Sequence, residues 1–296
     1  MCTKRTMNGF PILSALSTAD AAGLATFHQV ADSALAFDGY APFNEQALYD
    51  LQSGHRTAHL VRTNELVVGA SLSGHGEIDL VISPAYRRRG FGRTAARELV
   101  QAEPNDVTAW SHGDHPAARA LANELNFVAA RTLLELRRPL LDEAEASALP
   151  SGENISAFRV GIDEPEWVAL NALVFATHPE QGSITESDLA ARQAESWFNA
   201  DDFLILRNAA GDMIGYNWLK VDGAIGEIYV VGVHPDAAGR GLGRVLMQAG
   251  LHRLAEAGCT TASLYVEADS LGPVHLYRAL GFVDYTVDVQ YRRFAN

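Results

Sequence analysis

The chain repeats itself. GEIDLVISPAYRRRGFGRTAARELV, from Gly76, aligns with GEIYVVGVHPDAAGRGLGRVLMQAGL, from Gly226. Pro84 falls on Pro235, Gly90 on Gly241 and Gly92 on Gly243 at an offset of 151, whereas Glu77 falls on Glu227 at 150. The second copy therefore carries one extra residue within a strand, and such an insertion predicts a β-bulge between Tyr229 and Val233, with a backbone N–H left unpaired. Further on, ALANELNFVAARTLLELRRPL from Ala120 aligns with HLYRALGFVDYTVDVQYRRF from His275, Phe127 meeting Phe282 at an offset of 155. Self-similarity over that span means two copies of one domain. A chain of 296 residues, 48% hydrophobic, is long enough to bury two cores.

Each copy reads as a helical N-terminal part, a hairpin (from His59; from Phe203), the repeated strand, a Gly-rich turn, a helix, then strand, helix and strand. The fold class this predicts is α/β, mixed and α+β-like. The turn Ala209–Asp212 sits between two apolar runs, where Gly211 supplies a positive φ. Between the copies, LDEAEASALPSGENISA is acidic, rich in Ala and Ser, and interrupted by Pro150 and Gly152. The expected division is a first domain over 1–140, a linker over 141–157 and a second domain over 158–296.

Composition excludes several functions. With 23 basic against 36 acidic residues the net charge is -13, which repels a nucleic-acid backbone. Cys2 and Cys259 are too few for a disulfide framework or a Cys-based zinc site, and His112, His115 and His178 lie in loops without ligand spacing, so no metal is expected. No stretch approaches ~18 uninterrupted apolar residues, and the N-terminal apolar positions are broken by polar ones. The expectation is a soluble, unprocessed, cytoplasmic protein, and a monomer, since the second copy supplies the neighbouring domain that a dimer otherwise would.

In both copies the strand runs into Pro, then G-x-G, then an amphipathic helix. Glycines let the backbone approach a pyrophosphate, and the helix N-terminus offers free N–H groups and a favourable dipole. A single G-x-G fits a tight strand-to-helix connection equally well; its recurrence in the same context favours an anion cradle. Together with the R-x-x-G-x-G turn and the L-Y-x-x-L-G-F helix end, this pattern resembles the GNAT superfamily of acetyl-CoA-dependent N-acetyltransferases, whose domains are mixed sheets flanked by helices.

That resemblance implies that the turns bind the CoA pyrophosphate: Arg87, Arg88, Arg89, Gly90, Phe91, Gly92 and Arg93 in the first copy, and Ala238, Gly239, Arg240, Gly241, Leu242, Gly243 and Arg244 in the second. Ala238 stands where Gln or Arg is usual. It also implies that Val231, Gly232 and Val233, with counterparts Leu80, Val81 and Ile82, pair with the pantetheine arm, and that a bulge amide points at the acetyl carbonyl. Ser270, in place of the usual Asn, and His275 would contact CoA. Tyr277 would donate a proton to the CoA sulfur; its counterpart is Ala122, which has none to give. Glu227 is the candidate base, directly or through water, although Glu77 holds the matching place.

The likeness narrows further at FDGYAPFNEQAL from Phe37, THPEQG from Thr177, ESWF from Glu195, GEIYVVGV from Gly226 and LYVEADS from Leu264. These segments resemble the mycothiol synthase family, tandem GNAT enzymes that move acetyl from acetyl-CoA to the cysteine amine of a cysteinyl-glucosaminyl-inositol. The resemblance implies a first domain that holds CoA without turnover, and acceptor contacts from Asp38, Glu180, Lys220, Glu227 and Tyr265. Read from the residues alone, Asp38 before Gly39 is equally a turn former, Lys220 a solvated strand end, Glu180 a surface loop residue, and Trp197 and Phe198 core. Two other functions stay open at this point: acetylation of a protein N-terminus, polyamine or aminoglycoside, and acetyl-CoA binding without chemistry.

Overall fold

A computed structural model of the chain describes residues 11–64, 66–141, 149, 152–178 and 181–295. They form two compact units, the first built from Met1–Leu134, Glu267–Asp269 and Thr286–Asn296, the second from Glu135–Val266 and Ser270–Tyr285.

The first repeat runs β1 (Ile12–Ala15), α1 (Ala21–Asp38), α2 (Glu45–Gln52), β2 (Thr57–Thr63), β3 (Leu66–Gly74), β4 (Glu77–Ile82), α3 (Phe91–Ala102), β5 (Val107–Ser111), α4 (Pro116–Glu124) and β6 (Val128–Pro139). Asp20 starts α1 by accepting from the Gly23 N–H at 2.9 Å, and Gly39 ends it in the left-handed region at φ 84°. One face of α1 buries Phe27, Val30 and Ala34 against Leu60, Ala70 and Leu72 of β2 and β3. On α3, Phe91 and Ala95 pack with Val61 and Val68. Complete burial of each large apolar side chain contributes roughly 1.5–3 kcal/mol.

The second repeat follows in the same order: β7 (Asn154–Ala157), α5 (Glu164–Val174), α6 (Glu186–Gln193), β8 (Phe203–Arg207), β9 (Met213–Asp222), β10 (Ile225–Val233), α7 (Leu242–Glu256), β11 (Thr261–Glu267), α8 (Leu271–Ala279) and β12 (Val283–Arg293). The last four residues of the expected linker are thus strand β7, paired with β8 from Asn154–Arg207 to Ala157–Leu204; most of the segment before them, 142–148 and 150–151, lies outside the described residues. The hairpin turn before β9 forms as expected, with Gly211 at φ 94° donating to the Asn208 carbonyl at 3.0 Å. Its core is aromatic: Phe203 stacks on Trp218 at 4.4 Å and on Phe158 at 4.5 Å, with Trp167 edge-on to Phe203 at 5.5 Å. Helix α7 buries Leu242, Leu246, Met247, Leu251 and Leu254, spaced at the helical period.

The compact units do not follow the repeat in order along the chain. In the first, the sheet order is β1-β2-β3-β4-β5-β12-β6, with β12 from Thr286 onward antiparallel to β5, Val289 opposite Ser111 and Arg293 opposite Val107. In the second, the order is β6-β11-β10-β9-β8-β7, with β6 from Glu135 onward. Each repeat therefore sends part of its final strand into the sheet of the other unit.

Candidate active site

In the second repeat, β10 runs antiparallel to β9 from Ile225–Asp222 to Val233–Gly215, and the register shifts between Ile228, opposite Leu219, and Val230, opposite Trp218. Tyr229 is the extra residue, and the bulge expected from the one-residue offset falls on it. The parallel ladder to β11 ends just there, at Ile228–Leu264. Beyond it Val231, Gly232 and Val233 pair with Asn217, Tyr216 and Gly215 of β9 and, among the described residues, have no ladder partner on the other edge. An open edge next to a bulge offers backbone groups to an extended amide-bearing arm. Gly232 is required for a packing reason: a Cβ there would lie 2.8 Å from Cζ and the hydroxyl of Tyr216. In the first repeat, Leu80, Val81 and Ile82 pair with Ser71, Ala70 and Gly69 without any register shift.

Both Gly-rich turns lead into a helix. Gly241, at φ 80°, precedes α7, and Gly90, at φ 86°, precedes α3; a Cβ on either would meet nothing within 4 Å, so open space faces the backbone. Gly239 has φ 77°, and its counterpart Arg88 is held in the same left-handed region at φ 62°. Several cradle arginines are already engaged. The Arg87 guanidinium donates to both carboxylate oxygens of Asp38, at 2.7 and 2.6 Å, and to the Ile82 carbonyl at 2.9 Å; Arg93 pairs with Glu124 at 2.8 Å, and Arg240 pairs with Glu153. Arg89 donates to the Ala85 carbonyl at 3.0 Å. Among the described residues, Arg88 and Arg244 are exposed and have no side-chain hydrogen bond or ion pair. Phe91 and Leu242 are buried and anchor the two helices.

Tyr277 sits on α8, 8% exposed, its ring edge-on to Phe282 at 6.2 Å. Burial pushes its hydroxyl up to about 12. Its counterpart Ala122 is likewise buried on α4. Ser270 is the N-cap of α8, without a side-chain capping bond, and His275 is exposed on that helix. Glu227, half-buried on β10, lies opposite Lys220 of β9 and Ser263 of β11. In the first repeat the matching carboxylate, Glu77, accepts from Arg56, 3% exposed, at 3.4 Å, and from the Thr108 hydroxyl at 3.4 Å.

Around the bulge, the Tyr229 ring lies 5.2 Å from Trp197 and 5.3 Å from Trp218, and its hydroxyl accepts from Arg192 Nε at 3.3 Å. The Lys220 ammonium stands 5.2 Å over the Trp197 ring, and Trp197 and Phe198 both pack on the aromatic core. Tyr265 is 47% exposed on β11, one residue past the last rung. The structure so brings Glu227 and Lys220 together as cross-strand neighbours; Asp38 belongs to the first unit, where it ends α1 and grips Arg87, and Glu180 lies outside the described residues. Among the described residues no group of His, Cys, Asp and Glu is placed to hold a metal, and His178 Nδ1 accepts instead from the Gln181 N–H at 3.0 Å.

Comparison with known proteins identifies the family. The acetyltransferase (GNAT) family matches residues 167–282. A mycothiol acetyltransferase of Clavibacter sepedonicus is 47% identical over 274 residues, 89% of this chain and 90% of the relative. Those of Thermobispora bispora and Salinispora tropica are 43% and 40% identical, over 89% and 86% of this chain and 94% and 88% of theirs. The chain belongs to the mycothiol acetyltransferase family.

The fold of this family member is that of tandem GNAT proteins. A tandem GNAT protein from the clavulanic acid biosynthesis pathway matches with TM-score 0.72 at 20% identity, over 97% of this chain and 99% of that one. A GCN5-related N-acetyltransferase from Sphaerobacter thermophilus gives TM-score 0.73 at 20% identity, over 97% and 96%. Sequence reasoning about this mycothiol acetyltransferase relative missed Tyr216, Asn171 and Gln181, which hydrogen-bond beneath the bulged strand. The signal was present in Asn171, the one amide in the otherwise apolar run WVALNALV of α5, where a buried polar group demands a partner.

Proposed function

We propose that the chain transfers acetyl from acetyl-CoA to the cysteine amine of 1D-myo-inositol 2-(L-cysteinylamino)-2-deoxy-α-D-glucopyranoside, completing mycothiol, with the chemistry in the second repeat. The observation that carries this assignment is the asymmetry of the two copies: the bulge at Tyr229 and the buried Tyr277 stand where the first copy has an unshifted ladder and Ala122.

Transfer needs a neutral amine, a stabilised oxyanion and a proton for the leaving thiolate. Val231, Gly232 and Val233 hold the pantetheine arm along the open edge, while Gly239, Gly241 and Gly243, with Arg244, receive the pyrophosphate at the start of α7; Ala238, Arg240, Leu242, Ser270 and His275 border that cradle. The amine nitrogen attacks the thioester carbon, and the tetrahedral oxyanion takes a hydrogen bond from a backbone N–H at the bulge. Glu227 accepts the amine proton, directly or through water. Collapse breaks the C–S bond, and the thiolate takes the Tyr277 proton. A tyrosine held at about 12 keeps that proton at neutral pH.

Acceptor contacts in the second repeat are assigned to Glu180, Lys220, Glu227 and Tyr265. Carboxylates accept from sugar and inositol hydroxyls, and Lys donates to a hydroxyl or carbonyl. The first repeat holds CoA at Leu80, Val81, Ile82 and the turn Arg87–Arg93 without turnover. Repeat boundaries at 1–140 and 158–296, with 141–157 between them, describe the duplication. No described helix is long and apolar enough to cross a membrane; a monomer acting in the cytoplasm, without metal or nucleic acid, completes the assignment.

The test is acetyl-CoA consumption by the native chain with the cysteinyl-glucosaminyl-inositol precursor, followed by mass detection of the product. Acetylation on the cysteine nitrogen is expected; folded protein that consumes no acetyl-CoA with this acceptor, yet acetylates a polyamine or a peptide N-terminus, overturns the acceptor assignment.

A further inference from the structure

Helix α7 and strand β9 of the second unit meet at a polar contact that the transfer steps leave unexplained. Gly215, Asn217 and Leu219 alternate along the face of β9 that lies under α7: a Cβ on Gly215 would stand 3.0 Å from Leu246 Cδ1, and a Cβ on Gly250 would stand 2.3 Å from Asn217 Nδ2 and 3.1 Å from Leu219 Cδ2. Asn217 is wholly buried, and its Nδ2 donates to the Leu246 carbonyl of α7 at 2.9 Å. Its Oδ1 is buried without a hydrogen-bond partner among the described residues. Gly250 admits the amide, since a side chain there would push it off the helix.

The first repeat carries other residues at the matching positions. Leu80, the counterpart of Val231, pairs with Ser71 where Val231 pairs with Asn217, and at the offset of 151 the counterpart of Gly250 is Leu99. Both Ser71 and Leu99 are buried. A small strand residue with a large helix residue thus stands in place of a large strand residue with a glycine. Leucine suits a helix interior better than glycine, which loses more backbone freedom on folding, so packing alone does not favour the choice made in the second repeat.

What the amide adds is direction. Apolar contacts are non-directional, whereas a hydrogen bond to one particular carbonyl selects one position of the helix along the strand. Asn217 is also the register partner of Val231 on the open edge, and the helix it grips has Gly241 as its N-cap.

We propose that Asn217 is a positioning residue for the acetyl donor: its bond to the Leu246 carbonyl, admitted by Gly250, fixes the span between the turn that receives the pyrophosphate and the edge that holds the pantetheine arm. The inference rests on the reading above, which places those two parts of acetyl-CoA in the second repeat. Its consequence is selective. A donor that reaches both regions feels a change of span, and a donor that uses the edge alone does not.

The experiment measures kcat/KM of the full-length protein, with the cysteinyl-glucosaminyl-inositol precursor as acceptor, for acetyl-CoA and for S-acetylpantetheine, which lacks the pyrophosphate, together with the thermal midpoint. Native protein is expected to favour acetyl-CoA at least about tenfold. The double variant Asn217→Ser/Gly250→Leu, which repeats the first copy's residues at this junction, is expected to lower kcat/KM for acetyl-CoA about tenfold while that for S-acetylpantetheine stays within about twofold. Gly250→Ala displaces the amide yet favours the helix; it shows the same split at about threefold and is the readout if the double variant does not fold. Equal losses for the two donors, or acetyl-CoA values within about twofold of native in Gly250→Ala and in the folded double variant, overturn the inference while the reading of the second repeat stands. Native protein that favours neither donor, or that transfers acetyl to no amine, removes that reading and the inference together. Turnover of another amine alone removes the acceptor assignment, and the same donor comparison made with that amine still decides the inference.

Discussion

At the scale of single residues, the account turns on Tyr277. Removing a general acid costs about 10²–10⁴-fold, and a thiolate is a tolerable leaving group, so Tyr277→Phe is expected to lower kcat about 10²-fold with little change in the KM for acetyl-CoA. Because burial raises the folded-state value to about 12, the hydroxyl stays protonated where an ordinary tyrosine is half ionised, at about pH 10. The kcat profile at saturating substrates should therefore stay flat up to about pH 10; a basic limb near pH 9 that Tyr277→Phe abolishes would contradict the assignment. For Glu227 the sign runs the other way. An α-amine with pKa ~7.7–8.0 needs a base mostly below that range, so the deficit of Glu227→Gln should be large at pH 6.5 and shrink towards pH 9; an equal deficit at both would assign the carboxylate to binding. The contrast of Tyr277 with Ala122 was legible because the repeat sets the two side by side. The Asp38–Arg87 fork was not, since the two lie far apart in sequence and each had a reading of its own. Asp38→Ala leaves a partly buried guanidinium without its bidentate partner and should lower unfolding free energy by about 1–3 kcal/mol, measured by denaturant titration; an unchanged midpoint with a raised acceptor KM would make Asp38 a pure acceptor ligand.

At the scale of elements, the bulge is the feature that the sequence showed most clearly, as a lone offset of 150 among offsets of 151. Insertions in strands are visible in this way only where a second copy provides the ruler. What lies beneath the bulge was less legible, because an uninterrupted buried strand such as Met213–Leu219 does not reveal which side chain meets which cross-strand gap. Gly232→Ala tests that packing. Its methyl group would sit 2.8 Å from the Tyr216 ring, which is itself confined by Trp167 at 5.5 Å, so relief requires the strands to move. Overpacking of this kind costs about 1–3 kcal/mol. Chemical denaturation should show that loss together with weaker acetyl-CoA binding, and native-like values of both would mean that β10 yields freely at this point.

For the whole molecule, the repeat predicted two copies of one domain, and the order of elements agrees, but the destination of the final strands could not be read. A strand such as Val283–Arg293 carries the same alternation whichever neighbour it pairs with, and partner choice depends on contacts distant in sequence. The consequence is that the second repeat is not a free-standing fold. A fragment 141–296 lacks β6 beside β11 and leaves β12 from Thr286 onward without β5. Exposed edges of that kind favour aggregation, so the fragment should elute as aggregate or show no cooperative melt, whereas a folded, active monomer would contradict the interleaved sheets. The central claim is that two similar cradles serve one chemistry. Its most direct test is acetyl-CoA turnover with the cysteinyl-glucosaminyl-inositol precursor by Gly90→Val and Gly241→Val, the same change at positions with φ of 86° and 80°, each checked for native thermal stability. The account predicts turnover within about fivefold of native for Gly90→Val and a loss of about 10²-fold or more for Gly241→Val; equal losses, or loss through Gly90 alone, would contradict it.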